Sequence, residues 1–220
     1  MRPAALAAAC CAALIVLVSG CAVTPSLRPP AADPQKAFEQ RTRQMAAIHA
    51  WQVSGRLAVK TNKRGDTFNM FWRREGDHHK ISLYGPLGSG GVVLTQDDQG
   101  ATLVDSKHKT YHGHDAEELL FDVAGWRVPF KSMQHWLLGV PAPESDYQMK
   151  LDQWGRLTEL TQNGWRIRFL AYDYDDGRDL PRKLVINALP GTQHIVGGEP
   201  GENDNIQVKA LIQRWDWLRN

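Results

Sequence analysis

Several histidines, aspartates and glycines have spacings that could bind a metal or a phosphate. His108, His112 and His114 share one face if they lie on a strand, but no Cys or acidic pattern nearby completes a familiar ligand set. Residues 173–179 include four aspartates without the final Glu of a calcium loop. The run Gly88-Ser89-Gly90-Gly91 precedes a strand pattern, not the helix N-terminus that phosphate-binding loops use. We therefore expect a solvated polar face, a solvated loop and a turn at these places.

The sequence has no motif that indicates an enzyme. It contains neither the Gly-x-x-x-x-Gly-Lys-Ser/Thr run of ATP-binding loops nor the Gly-x-Ser-x-Gly turn of many hydrolases. The 26 Lys and Arg residues against 24 Asp and Glu leave a formal charge of +2, which does not support a nucleic-acid binder with a strong positive field. His78 and His79 follow a Gly-Asp turn and are expected to be exposed. We predict a protein that is not an enzyme and that binds neither metal nor nucleic acid.

Cys21 is the residue with the most specific chemistry. The fifteen apolar residues 4–18 precede it, a run shorter than the roughly 20 residues of a membrane-spanning helix. The run ends in Val18-Ser19-Gly20-Cys21, which is similar to the lipoprotein cleavage box, where the cysteine gains S-diacylglycerol and an N-acyl group. We predict a signal peptide over residues 1–20, with an uncleaved anchor as the alternative. Ala22, rather than Asp, follows the cysteine, which by the usual rule for lipoproteins predicts the outer membrane.

The rest of the chain divides into a tether and one domain. Residues 21–32 contain three prolines and no hydrophobic periodicity, which is typical of a partly extended linker. Residues 33–220 are predicted to form a single domain. The acyl groups at Cys21 are the only non-protein groups that we expect, and we expect a monomer.

Three helices and about eleven strands are predicted within the domain. The helices begin at Asp33-Pro34, at Asp115 and at Pro129, and the first is expected to reach about Ala50. Two-residue alternation of apolar and polar side chains predicts strands near 52–60, 68–72, 80–84, 91–96, 101–105, 107–112, 147–151, 157–162, 165–172, 183–188 and 206–218. Short strands joined by Gly- and Asp-containing turns indicate an antiparallel meander. A half-open or closed barrel with helices across its mouth would bury the apolar faces.

Leu87 is the single large aliphatic residue in a loop of Gly, Pro and Ser that joins two predicted strands. Pro86 restricts the backbone, and Gly88 has no side chain with which to cover its neighbour. Leu87 is therefore a candidate for an apolar side chain held out in water. The equally weighted alternative is that it folds back into the mouth of the barrel.

Five short segments together resemble the LolB family of outer-membrane lipoprotein receptors. They are Trp51-x-x-x-Gly55-Arg56-Leu57-Ala58-Val59, Phe71-Trp72, Leu83-Tyr84-Gly85-Pro86-Leu87-Gly88, Asp115-Ala116-Glu117-Glu118-Leu119-Leu120 and Trp136-Leu137-Leu138-Gly139-Val140-Pro141. Their order behind a lipoprotein cleavage box is specific. The resemblance implies an open antiparallel barrel of about eleven strands, with helices lining or plugging an apolar cavity. It also implies that Leu87 is the family's protruding membrane-insertion leucine.

The resemblance further implies partners and a role. The protein would accept lipoproteins from the periplasmic carrier LolA, hold their acyl chains and insert them among the phospholipids of the inner leaflet of the outer membrane. It would be lipid-anchored there and face the periplasm. Strand parity and helix spacing predict the cavity side chains as Met70, Trp72, Leu119, Leu120 and Met133. The alternative is a scaffold lipoprotein with a solid core and no lipid cavity.

Overall fold

Eleven antiparallel strands form one sheet in the computed structural model, which describes residues 29–61, 65–86, 90–124, 128–143, 145–190 and 206–218. The helices are α1 (Pro34–Ala46), α2 (Ala116–Ala124) and α3 (Phe130–Leu137). The strands are β1 (Ala50–Lys60), β2 (Gly65–Glu75), β3 (His78–Tyr84), β4 (Gly91–Asp97), β5 (Gly100–Val104), β6 (Thr110–Gly113), β7 (Tyr147–Leu151), β8 (Leu157–Gln162), β9 (Trp165–Asp175), β10 (Arg178–Ala188) and β11 (Gln207–Trp217).

The sheet is open, with β6 and β7 at its two edges. Its strand order is β6-β5-β4-β3-β2-β1-β11-β10-β9-β8-β7, so two meanders meet along the β1–β11 pair. Helices α2 and α3 connect the two edge strands in chain order. The predicted class, a mainly β, open antiparallel barrel of about eleven strands with three helices, is confirmed.

Alternate residues of the strands form the core. On β1, Trp51, Val53, Gly55, Leu57 and Val59 are buried, and the residues that alternate with them are more exposed. The alternation follows from the pleat of a strand, which directs successive side chains to opposite faces. The buried side chains of α3 join the same core, so the helices lie on the inward face of the sheet.

Gly55 permits a close approach between β1 and β11. The register of this strand pair shifts between Ser54 and Gly55. A Cβ atom at position 55 would lie 2.2 Å from the carbonyl oxygen of Leu211, which is far inside van der Waals contact. The glycine in the Trp51-x-x-x-Gly55 segment therefore has a structural reason: only a residue without a side chain fits at this bulge.

Two hairpins turn through residues with positive φ. Asn163 and Gly164 have φ values of 51° and 78°, as the Asn-Gly pair predicts for a two-residue turn. Asp176 and Gly177 repeat the geometry with 45° and 77°. The aspartates of residues 173–179 therefore belong to the tip of the β9–β10 hairpin and are exposed there or half-buried.

The predicted starts and ends of two elements differ from the structure. Helix α1 ends at Ala46, not near Ala50, because Ala50 already pairs with β2. Strand β6 begins at Thr110, not at residue 107. The carboxylate of Asp105 accepts the backbone N–H groups of residues 107 and 109 at 2.8 and 3.0 Å, which folds that segment into a turn.

The β9–β10 hairpin is longer than predicted. The aspartate run and Pro181 are unfavourable in strands, so the sequence predicts ends at Tyr172 and Lys183. In the structure the two strands stay paired to Asp175 and Arg178, with register shifts on either side of Lys183. The shifts place Pro181 beside an irregularity, where a missing N–H is tolerated.

Candidate functional site

An apolar cavity lies between strands β1–β4 and helices α2 and α3. It encloses about 40 Å³. Every side chain around it is apolar: Leu57, Val59, Met70, Trp72, Ile81, Leu83, Val92, Leu94, Leu120, Val128, Phe130 and Met133. A site of this composition offers no hydrogen bond or charge to a ligand, and it suits only an apolar one.

Four of the five predicted cavity residues line this space. Met70 and Trp72 reach it from β2, Leu120 from α2 and Met133 from α3. Leu119 is buried as well, but it packs against Gly113 of β6 beside a separate, more polar surface depression. Successive residues of a helix point about 100° apart, so Leu119 and Leu120 face different neighbours.

The cavity is too small for an acyl chain in this conformation. Its 40 Å³ is well below the roughly 150 Å³ of an engineered cavity that binds benzene. Pockets for larger ligands measure about 300–1,000 Å³. Binding of a lipid chain would therefore require side chains of α2 or α3 to move away from the sheet.

Phe130, at the start of α3, packs against Trp72 in the wall of the cavity. The two rings stack with centroids 5.0 Å apart and an interplanar angle of 16°. Trp72 also packs on Trp51 at 5.5 Å, and the ring of His79 meets Phe130 edge-on at 5.1 Å. These ring contacts are mainly apolar. Their preferred geometry is limited to stacked or edge-to-face arrangements of the rings.

His79 is buried, and the prediction that it is exposed is wrong. Its side chain belongs to the inward row of β3 with Ile81 and Leu83, because β3 begins at His78, directly after the turn. The Nδ1 atom of His79 accepts the indole N–H of Trp72 at 3.2 Å. The alternation His79-Ile81-Leu83 is the sequence signal that could have identified this inward position.

Both histidines beside the cavity are held neutral by their surroundings. Burial lowers the pKa of His79 to about 4, and the positive charge of Arg74 acts in the same direction. Burial and Arg74 likewise lower the pKa of His135, on α3, to about 4. At neutral pH the wall around Phe130 therefore carries no histidine charge.

Gln162 holds the far end of α3 through a buried hydrogen-bond network. Its Oε1 accepts the indole N–H of Trp136 and the backbone N–H of Ala142, both at 2.9 Å. Its Nε2 donates to the carbonyl of Ala142 at 2.8 Å and to the hydroxyl of Ser145 at 2.7 Å. Sequence reasoning missed this residue, because a glutamine at the end of a strand is usually exposed.

Arg41 of α1 holds the C-terminus of α3. Its Nη2 donates to the carbonyl oxygen of Leu138 at 2.9 Å, and its guanidinium lies 5.6 Å from the ring centroid of Tyr172. A cation at a helix C-terminus satisfies a carbonyl that has no partner within the helix. Burial lowers the pKa of Arg41, and the charge of Asp179 opposes that effect.

Polar contacts at the helix starts connect α2 to α3. Asp115 caps α2 by accepting the backbone N–H of Glu117 at 2.7 Å, as the capping pattern predicts, and it pairs with Lys131. The Oε1 atom of Glu117 accepts the backbone N–H of Lys131 at 2.8 Å. Burial raises the pKa of Glu117. The N-terminal half of α3 is therefore connected to α2 by these bonds and to the sheet around the cavity by apolar packing. One further hydrogen bond, from Nδ2 of Asn163 to the hydroxyl of Ser132 at 3.0 Å, connects it to the β8–β9 turn.

The predicted insertion loop lies at the end of the β3–β4 hairpin. The backbone N–H of Gly85 donates to the carbonyl of Gly90 at 3.1 Å and closes the loop, and Pro86 is exposed. Leu87 and Gly88 lie outside the described residues, as does Cys21. Whether Leu87 points to water or to the barrel stays a prediction.

The described residues offer neither a metal site nor a membrane-spanning helix. In the ranges that the structure covers, no group of three His, Cys, Asp or Glu side chains could hold a metal ion. His108 lies in a turn with a φ of 61°, whereas His112 contacts Thr102 at 3.2 Å. None of the helices in these ranges has the length and apolarity needed to cross a bilayer.

Comparison with known proteins agrees with these features. Residues 49–215 match the family described as "Outer membrane lipoprotein LolB". The chain is 37% identical to the outer-membrane lipoprotein LolB of Nitrosococcus oceani, over 91% of this chain and 92% of that protein. It is 31% identical to the LolB of Pseudomonas putida, over 79% of this chain and 85% of the relative. The chain therefore belongs to the LolB family of outer-membrane lipoproteins.

Proposed function

We propose that this protein accepts lipoproteins from the periplasmic carrier LolA, holds their acyl chains between β1–β4 and helices α2 and α3, and releases them into the inner leaflet of the outer membrane. The observation that carries the proposal is the wholly apolar cavity beneath Phe130. The family membership supports a role in lipoprotein localisation. We assign no catalytic step to the protein.

Acceptance of an acyl chain begins with movement of the N-terminal half of α3. Displacing Phe130 from Trp72 exposes apolar surface, which the incoming chain covers again. The buried hydrogen bonds at the other end, from Arg41 and around Gln162, need not break for this movement. Helix α2 moves together with α3, because Asp115 and Glu117 bond to Lys131.

Transfer runs down a gradient of binding free energy. The chain shows no nucleotide-binding motif, so each acceptor must hold the acyl chains more favourably than the donor before it. A cavity that is small when empty favours the release step. The free energy of displacing Phe130 reduces the net affinity for the chains and so favours their release to the bilayer.

A Leu→Asp substitution in the cavity tests this proposal. Leu120→Asp places a carboxylate among apolar side chains, and it should abolish uptake of a fluorescent fatty acid and acceptance of a lipoprotein from purified LolA. Leu120→Ala keeps the site uncharged and should only weaken uptake. The matched control is Leu170→Asp, which makes the same change at an exposed position on the outer face of β9. Unchanged uptake in a folded Leu120→Asp protein would favour the scaffold alternative.

We propose that Leu87 acts at delivery, by entering the leaflet while the acyl chains leave. A buried leucine is worth about 1.5–3 kcal/mol, which is enough to orient the barrel but adds little to a triacyl anchor. Leu87→Glu should leave melting temperature and acceptance near normal and reduce delivery into vesicles. Leu87→Phe should keep much of the delivery. If Leu87 instead lies in the core, Leu87→Glu lowers stability, acceptance and delivery together.

We also propose that Cys21 is the acylated residue. Cys21→Ala removes the thiol that would carry diacylglycerol, whereas the described fold begins downstream, at α1. The variant should therefore appear in the soluble periplasmic fraction with a normal melting temperature. Retention on membranes after a high-salt wash would show that residues 1–20 anchor the chain instead.

A further inference from the structure

Six exposed cationic side chains lie together on the outer face of four neighbouring strands. They occupy outward positions on β9, β10, β11 and β1, and we refer to them as the basic belt: Arg166, Arg168, Lys183, Lys209, Arg56 and Lys60. The other outward positions in these stretches are Leu170, Val185, Asn187, Gln207, Leu211 and Ala58. None of the twelve is acidic.

The strand register brings these residues into three adjacent rows. Arg166 lines up across β10 and β11 with Lys60, and Arg168 lines up in the same way with Lys209. Lys183 shares the third row with Arg56, through Leu211. With strands about 4.8 Å apart and residues about 3.3 Å apart along a strand, the belt measures about 15 by 13 Å.

Few carboxylates among the described residues offset the positive charges of the belt. In the described ranges, none of its six cations forms an ion pair with a carboxylate. The acid across from Arg168 on β8 is Glu159, whose carboxylate bonds to Lys150 at 3.0 Å. The hydrogen bond from Lys150 lowers the pKa of Glu159, and the charges of Arg166 and Arg168 act in the same direction, so this one acid partly offsets the belt. Like charges this close repel one another, so an anionic partner would stabilise the face.

The position of the belt indicates a bilayer rather than the carrier protein. The belt lies on the face of the sheet opposite the cavity, so contact between the belt and a bilayer leaves the cavity side free for a carrier that hands over acyl chains. Lys60 and Arg166 lie at the same end of the sheet as the closed loop between Gly85 and Gly90. Leu170, half exposed beside Arg168, adds an apolar side chain of the kind found on membrane-surface proteins.

The lipid anchor permits this orientation. The backbone N–H of Ala31 donates to Gln153 in the β7–β8 turn, at the opposite end of the barrel. The ten residues 21–30 can span at most about 35 Å, and an eleven-residue strand such as β1 is about as long. A chain acylated at Cys21 can therefore place the loop end of the barrel on the membrane that holds its anchor.

We infer that the basic belt binds the anionic phospholipid headgroups of the membrane that receives the lipoproteins, and that it orients the loop end of the barrel towards that membrane. This inference rests on the proposed delivery function. Each basic residue near an anionic surface contributes about 1 kcal/mol, or about fivefold in affinity. Six such residues are enough for reversible binding that salt weakens.

The test compares two double variants in which basic residues are replaced by glutamate. Both are made in a protein that also carries Cys21→Ala, which removes the anchor and changes no residue of the described helices and strands. Arg168→Glu/Lys209→Glu reverses two belt positions, and Lys80→Glu/Lys107→Glu makes the same net change at exposed lysines outside it. Binding is measured by sedimentation with vesicles of phosphatidylethanolamine and phosphatidylglycerol, and with phosphatidylcholine vesicles as the neutral surface. We expect the belt variant to bind the anionic vesicles at least about 25-fold more weakly and the control less than about threefold.

Three outcomes would overturn the inference. Equal losses in the two variants would mean that net charge alone governs binding, and no loss in the belt variant would mean that the belt does not touch the membrane. Normal vesicle binding with failed acceptance from LolA would assign the belt to the carrier. Arg168→Gln/Lys209→Gln, with its melting temperature, checks for folding effects. Fatty-acid uptake by the same proteins tests the proposed function separately, because the belt does not line the cavity.

Discussion

Helix α3 covers two buried regions that are held by different forces. The cavity region, between β1–β4 and Phe130, is lined by apolar side chains throughout. The hydrogen-bonded region, at the other end of the helix, is organised by Gln162, Trp136 and the Arg41–Leu138 contact. Apolar contacts tolerate sliding and replacement, whereas each buried hydrogen bond requires one partner in one place.

The difference explains how one short helix can both stay in place and open a site. Its C-terminal end is held by donors and acceptors that no water or lipid chain would replace equally well. Its N-terminal end lies on apolar surface for which an acyl chain is a chemically equivalent partner. The two regions therefore respond differently to substitution, and the predictions that follow separate them.

The largest effect on stability is expected for Gln162→Met. The substitution leaves the indole N–H of Trp136 and both backbone groups of Ala142 buried without a partner. At about 1–3 kcal/mol for each such group, we expect a loss of about 4 kcal/mol in the free energy of unfolding, measured with urea. Gln148→Met, at an exposed position on β7, should change it by less than about 0.5 kcal/mol. A small loss in both variants would remove the distinction between the two regions.

Phe130→Ala should cost less stability and should increase lipid uptake. Core Phe→Ala substitutions cost about 3–5 kcal/mol, and we expect about 3 kcal/mol here, since the α3 terminus can settle into the space. Removing the ring also enlarges the cavity, so a fluorescent fatty acid should bind more tightly than to the parent protein. Phe71→Ala, on the exposed outer face of β2, is the control and should change neither quantity. Weaker fatty-acid binding by Phe130→Ala would mean that the ring contacts the ligand directly.

Arg41→Met should weaken only the hydrogen-bonded region. The carbonyl of Leu138 loses its partner, which is worth about 1–2 kcal/mol in the free energy of unfolding. Fatty-acid affinity should stay at the parental value, because Arg41 does not line the cavity. Arg43→Met, at an exposed position of the same helix, controls for loss of charge. A change in fatty-acid affinity on Arg41→Met would show that the two ends of α3 move together.

Acidification should act on the cavity region, with no effect at neutral pH. His79 and His135 have pKa values of about 4 in the folded protein, below the ordinary value of 6.5. Between these values the unfolded chain takes up protons that the folded chain does not, so stability falls as pH drops from about 6.5 to about 4. We expect the melting temperature of the double variant His79→Gln/His135→Gln to fall less over this range. His108→Gln/His112→Gln removes the same number of histidines at exposed positions outside the cavity region and is the matched control.

Local features of this protein could be read from the sequence. The two-residue alternation of β2 placed Met70 and Trp72 on the inward face, and the Asn163-Gly164 pair predicted its hairpin turn. The capping pattern at Asp115 predicted the start of α2. Each of these depends on backbone geometry within a few residues, and therefore a short stretch of sequence contains the information needed.

The prediction that His79 is exposed was wrong, because it was based only on residues next to His79 in the chain. Its place in a histidine pair beside a turn indicated exposure, but the inward row of β3 starts at His79, two residues before Ile81, the first apolar residue of the row. The indole N–H of Trp72 and the ring of Phe130 make the inward position favourable for a neutral imidazole. Neither partner can be inferred from the residues that flank His79.

The sequence by itself determined the strand-rich class, the inward faces of most strands and the family. Only the tertiary structure decided that Phe130 stacks on Trp72, that Gln162 holds the end of α3, and that the basic belt aligns across four strands. These arrangements depend on the register of β1 against β11 and on where α3 meets the sheet. They join residues far apart in the chain, and the free energy of such contacts depends on all the packing around them, which local composition does not specify.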